Sequence, residues 1–125
     1  MKEYITKTEM EHCMQVKEIF RKLSEGGRDF CVVDAYPFGC EVLEWYGEGR
    51  GFDRIVHFTE ASELFDYLLE TWEKIYLFEM KERYGDTDME DEEILKILPE
   101  GRRKEMAALR EDYIMQYEKC SANWQ

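Results

Sequence analysis

Apolar residues recur at three- and four-residue intervals through Met10, Cys13, Val16, Ile19, Phe20 and Leu23, the spacing that places side chains on one face of a helix. This stripe predicts a first helix over about residues 7 to 25. Thr6 with Glu9, and Thr8 with Glu11, have the capping-box spacing in which a hydroxyl and a carboxylate satisfy free amides at a helix start. Gly26-Gly27 supplies a left-handed stop.

From Phe30 to Phe58 the periodicity shortens. Phe30-Cys31-Val32-Val33, Cys40 to Tyr46 and Phe52 to Phe58 are β-branched and aromatic runs. Tyr36-Pro37-Phe38-Gly39 and Gly47-Glu48-Gly49-Arg50-Gly51 separate them as turns, which predicts a three-stranded antiparallel meander. If Ala35 pairs with Cys40 and Tyr46 with Phe52, then Val33, Val42 and Val56 share one face and Val32, Leu43 and Ile55 the other.

Thr59 is placed to cap a long second helix that ends at Tyr84, before Gly85, with Leu64, Phe65, Leu68, Trp72, Ile75 and Tyr76 as its buried stripe. Ile94, Leu95, Ile97 and Leu98 suggest a short helix closed by Pro99 and Gly101. A last helix over about Arg102 to Lys119 carries Met106, Leu109, Tyr113, Tyr117 and Cys120 at helical spacing, and the Ser121 to Gln125 tail has no period. The expected class is α+β, a single domain over residues 1–125: an N-terminal helix, the meander, then a long helix and C-terminal helices packed on the sheet, in the order αβββαα.

Composition narrows the function. A chain of 125 residues, 44% hydrophobic and 14% aromatic, holds enough apolar surface to form one core unaided. No apolar run approaches the roughly 18 residues that span a bilayer, and Met1-Lys2-Glu3-Tyr4 lacks the pattern of a signal peptide, so a cytoplasmic protein is expected. The formal charge of -12 disfavours direct binding to nucleic acid or to a membrane. Residues 60 to 100 hold 14 acids against 4 bases, which leaves the rest of the chain nearly neutral.

Candidate chemistry is sparse. Cys13, Cys31, Cys40 and Cys120 are scattered, form no Cys-x-x-Cys pair, and read as free thiols. With His12 and His57 they offer no structural zinc pattern, and no cofactor is implied. In the register above, Asp34, Glu41 and His57 fall side by side across the strands, an arrangement suited to acid-base work or to ordinary electrostatics at a sheet margin. Asp86 to Glu93 alternates oxygens as a calcium loop does, but Asp91 stands where that loop needs Gly and Ile97 where it needs Glu. The three glycines of the second turn precede a strand, so turn geometry explains them better than phosphate binding.

The acids themselves are regular. Glu63, Asp66, Glu70 and Glu73 fall on one side of the second helix, and Asp86, Asp88, Glu90, Asp91, Glu92 and Glu93 follow it. A solvated face would carry the same pattern, whereas a recognition surface would bind a basic protein and need both segments. The stripe alone has one charge per roughly 4 to 5 Å, against about 1.7 Å in duplex DNA.

The order of elements, with acids concentrated after the third strand, resembles the small acidic type II-A anti-CRISPR proteins that inhibit Cas9, and Asp86 to Glu93 looks like their acidic segment. The resemblance implies a DNA mimic, not an enzyme, whose carboxylates occupy the DNA-binding groove of a nuclease. Two other roles remain open: a homo-oligomer or interaction protein using Tyr67, Phe78, Tyr84 and Trp124, and an enzyme built on Asp34, Glu41 and His57.

Overall fold

The computed structural model describes residues 4–25, 30–45 and 53–124. The Gly26-Gly27 stop, the glycine turn from Gly47 to Gly51 and the Tyr46 to Phe52 pairing lie outside the described residues. The elements run α1 Lys7–Ile19, α2 Arg21–Glu25, β1 Phe30–Asp34, β2 Cys40–Glu44, β3 Arg54–Phe58, α3 Ala61–Tyr84, α4 Asp91–Ile97 and α5 Glu100–Ser121. The fold is α+β, with a helical start, an antiparallel meander in the order β1-β2-β3, and helices after it.

Thr6 caps α1, its hydroxyl accepting from Glu9 N at 3.0 Å. The single helix expected over 7 to 25 is instead two, because the chain leaves the regular ladder at Phe20, whose N–H turns back to the Lys17 carbonyl at 3.2 Å. The Phe20 ring is buried there, stacked on Tyr113 with ring centroids 4.6 Å apart and tilted against Phe65 at 5.7 Å. A contact with residues far along the chain accompanies a break that local periodicity does not announce.

Glu41 pairs with His57 and Val42 with Val56, the register that a Tyr46 to Phe52 turn predicts. Between β1 and β2 the expected register is wrong by one residue: Asp34 pairs with Cys40 and Val32 with Val42. The link is one residue longer than expected, comprising residues 35–39. It is closed by Ala35 N to Gly39 O at 2.9 Å and Phe38 N to Ala35 O at 2.8 Å, while Asp34 Oδ1 accepts from Tyr36 N at 2.8 Å. Since a slip of one inverts a strand, Phe30 and Val32, not Val33, face the core beside Cys40, Val42 and Phe58.

The inner face of the sheet meets α1 and α3, which pack on each other through Met10, Cys13 and Val16 and through Leu64, Phe65, Leu68 and Trp72. α3 ends at Tyr84, before Gly85, as the pattern predicts. α5 lies along α1 and α3 without a fully buried residue; Met106, Tyr113, Tyr117 and Cys120 are half-buried and Leu109 is exposed. α4 packs on α3 with Ile94 buried, and Leu98 just after it is buried too, whereas Ile97 is 51% exposed. The tail is anchored: Trp124 stacks on His12 at 4.1 Å and its Nε1 donates to Gln15 Oε1 at 2.9 Å.

Candidate functional site

Nine of the ten carboxylates singled out from the sequence are solvent-exposed, and Glu73 is half-buried. Their placement follows from the 100° step of a helix. The line Asp66, Glu70, Glu73 continues at the same spacing to Leu77 and Lys81. Leu77 is buried in the half of α3 against which α4 packs, and Lys81 Nζ meets Asp91 Oδ1 at 2.8 Å. The α3 acidic stripe therefore stops at Glu73: the next two positions are a buried leucine and a lysine, and the lysine pairs with the first residue of α4.

Several of these groups have structural partners. Asp86 Oδ1 accepts from Asp88 N at 3.0 Å, and Glu90 and Glu93 form a reciprocal capping box at the start of α4. Lys74 pairs with Glu70 at 3.2 Å, both largely exposed, so that pair contributes little to stability. Among the described residues Glu63, Asp66, Glu73, Asp88 and Glu92 have no basic partner within ion-pair distance.

A groove of about 850 Å³ opens between α3 and the ends of the strands, lined by Phe30, Glu44, Trp45, Arg54, Tyr67 and the α3 residues from Glu70 to Glu82 that face it. Glu44 is only 6% exposed. Tyr67 Oη donates to Glu44 Oε2 at 2.5 Å, and Arg54 Nε stands 3.9 Å from Oε1. Glu44 is not among the candidates above, although it follows Cys40 and Val42 at a period of two, which makes it an acid at an inward strand position.

The register parts the cluster of Asp34, Glu41 and His57. Glu41 and His57 are paired, but Asp34 sits opposite Cys40, and the His57 ring Nε2 contacts the Phe38 carbonyl. Three of the four aromatics expected to be free also have intramolecular partners. Tyr67 is bonded to Glu44, Trp124 stacks on His12 and Tyr84 Oη accepts from Arg102 Nε at 3.2 Å, while Phe78 is 51% exposed. Inward geometry consumes aromatic surface that sequence spacing alone makes look available.

Cys13 and Cys40 are fully buried, and all four cysteines are free. The Cys13 thiol is held well above the usual range by its hydrogen bond with Cys40 and by burial, so it stays protonated. No three potential metal ligands are gathered among the described residues, and no described helix is long and apolar enough to cross a membrane.

Fold and surface together define an α+β domain with exposed carboxylates on α3 and over residues 86–93 and, among the described residues, an aromatic, acid-lined groove. Comparison with protein-family models, with curated proteins and with solved structures finds no match to this chain.

Proposed function

We propose that this chain is a protein-binding module that engages a basic surface of a nucleic-acid-handling protein, such as the DNA-binding groove of a nuclease, through the carboxylates of α3 and α4. The observation that carries this reading is the exposure of nine of the ten carboxylates on α3 and over residues 86–93, five of the ten having no basic partner among the described residues. Such a field attracts cationic surfaces and accelerates encounter with them. The resemblance of element order to inhibitors of Cas9 supports the finer statement, that the surface competes with DNA.

The structure also selects the substitutions for the test. Reversing Glu90 or Asp91 would disturb the α4 cap or the Lys81 pair, whereas Asp88 and Glu92 have no basic partner among the described residues. Affinity capture from the host cell at low and high salt, with and without Asp88→Lys and Glu92→Lys, is the direct experiment. A salt-eluted nucleic-acid-binding protein that the double variant fails to hold, and that DNA displaces, supports the reading. Capture that is insensitive to both salt and reversal overturns it.

A further inference from the structure

We propose that the groove between α3 and the strand ends seats a short segment of the partner protein carrying two neighbouring cationic side chains, arginine or lysine. This rests on the proposed function and names the part of the partner that is recognised. The groove's volume, about 850 Å³, falls within the range of binding clefts, and it exceeds what one side chain fills. A segment of a few residues fits it better than a single group.

Charge decides the occupant. Among the described residues four carboxylates line the groove, Glu44, Glu70, Glu79 and Glu82, against two cations, Arg54 and Lys74. Lys74 pairs with Glu70 at 3.2 Å and Arg54 Nε stands 3.9 Å from Glu44, so among these groups Glu79 and Glu82 carry the excess negative charge. Neither of these two has a basic partner among the described residues. Among the described lining residues the deficit is two charges, which two cationic side chains neutralise.

The walls favour the same chemistry. Trp45 and Phe78 line the groove, and Phe78 is 51% exposed. Aromatic faces attract guanidinium and ammonium groups, and the aliphatic stems of arginine and lysine lie along such surfaces. Glu44, nine-tenths buried and bonded to Tyr67, fixes a carboxylate among the lining residues that does not swing away with solvent. An acidic segment would meet repulsion here, and a wholly apolar one would desolvate Glu79 and Glu82 without compensation.

The probe is the peptide acetyl-Ala-Arg-Arg-Leu-amide, titrated into the full chain with amide chemical shifts as readout. Acetyl-Ala-Gln-Gln-Leu-amide at matched ionic strength is the control. Saturable shifts confined to residues around Glu44, Trp45, Arg54, Ile75 and Phe78 are expected, with at least a ten-fold loss of affinity in Glu79→Lys with Glu82→Lys. These sites are on the exposed side of α3, so the variant keeps the fold, which its own spectrum verifies. Asp88→Lys with Glu92→Lys, outside the groove, should weaken the peptide less than three-fold. Equal weakening by both variants, shifts centred on α4, or equal binding of the glutamine peptide overturns the groove assignment. Loss of partner capture by the Asp88 and Glu92 variant alone, with no effect at Glu79 and Glu82, leaves the proposed function standing and removes the groove from it.

Discussion

Glu9 Oε1 accepts a hydrogen bond from Ala61 N at 2.7 Å, so a side chain of α1 caps the first turn of α3 across 52 residues of sequence. Thr59, the expected cap, is not used; Glu60 holds the cap position and makes no side-chain cap bond. The second carboxylate oxygen of Glu9 lies 3.3 Å from His12 Nδ1. One residue thereby joins the first helix, the stacked C-terminal tryptophan and the start of the longest helix.

Replacing Glu9 by Ala leaves the Ala61 amide of a fully buried residue without its acceptor. A loss of about 1 to 2 kcal/mol is expected, combining the cap and its favourable charge at a helix N-terminus. Urea unfolding followed by far-ultraviolet circular dichroism measures it. A midpoint equal to that of the parent chain would show that the bond contributes nothing.

Phe20 ties the break between α1 and α2 to α3 and α5 through its contacts with Phe65 and Tyr113. Phe20→Ala should cost about 3 to 5 kcal/mol, the usual penalty for emptying an aromatic core site. Near-ultraviolet dichroism should weaken with it, since Tyr113 loses its stacked neighbour. A variant with unchanged stability would mean that α5 holds its place by other contacts.

Alkaline stability is set partly by Tyr76. Burial and the Glu105 carboxylate 2.7 Å from its hydroxyl push this phenol up to about 12. The folded state thus keeps a proton that the unfolded chain releases near pH 10, so stability is full below that pH and falls as pH rises from 10 toward 12. Tyr113 and Tyr117 are raised too, by burial first, and act in the same direction. Tyr76→Phe should give a shallower decline over this window in denaturant titrations at stepped pH. An identical slope in the variant would assign the effect to the other tyrosines.

Gly39 adopts φ 141°, and a Cβ there would meet the His57 ring and lie 2.6 Å from the Phe58 carbonyl oxygen. Gly39→Ala should cost about 1 to 3 kcal/mol through backbone strain and the displaced strand end. Thermal unfolding reports the loss, and amide shifts of β3 should locate it. A variant as stable as the parent would show that the residue 35–39 link relaxes freely.

Periodicity alone determined a good part of this molecule. The apolar faces of α1 and α3, the end of α3 before Gly85 and the β2–β3 register follow from spacings of three to four, of two, and from turn residues, all of which act within a few residues. The concentration of acids after the third strand is likewise a property of the chain itself. What the sequence could not decide depends on partners far apart along it. The Asp34 to Cys40 register rests on one extra residue in a link, the break at Phe20 coincides with rings on α3 and α5, and the α3 cap comes from Glu9. The groove is of the same kind, because Glu44 becomes a buried lining residue only when β2 meets Tyr67 of α3. Local patterns fix which face of an element turns inward; only packing fixes which other element it meets there.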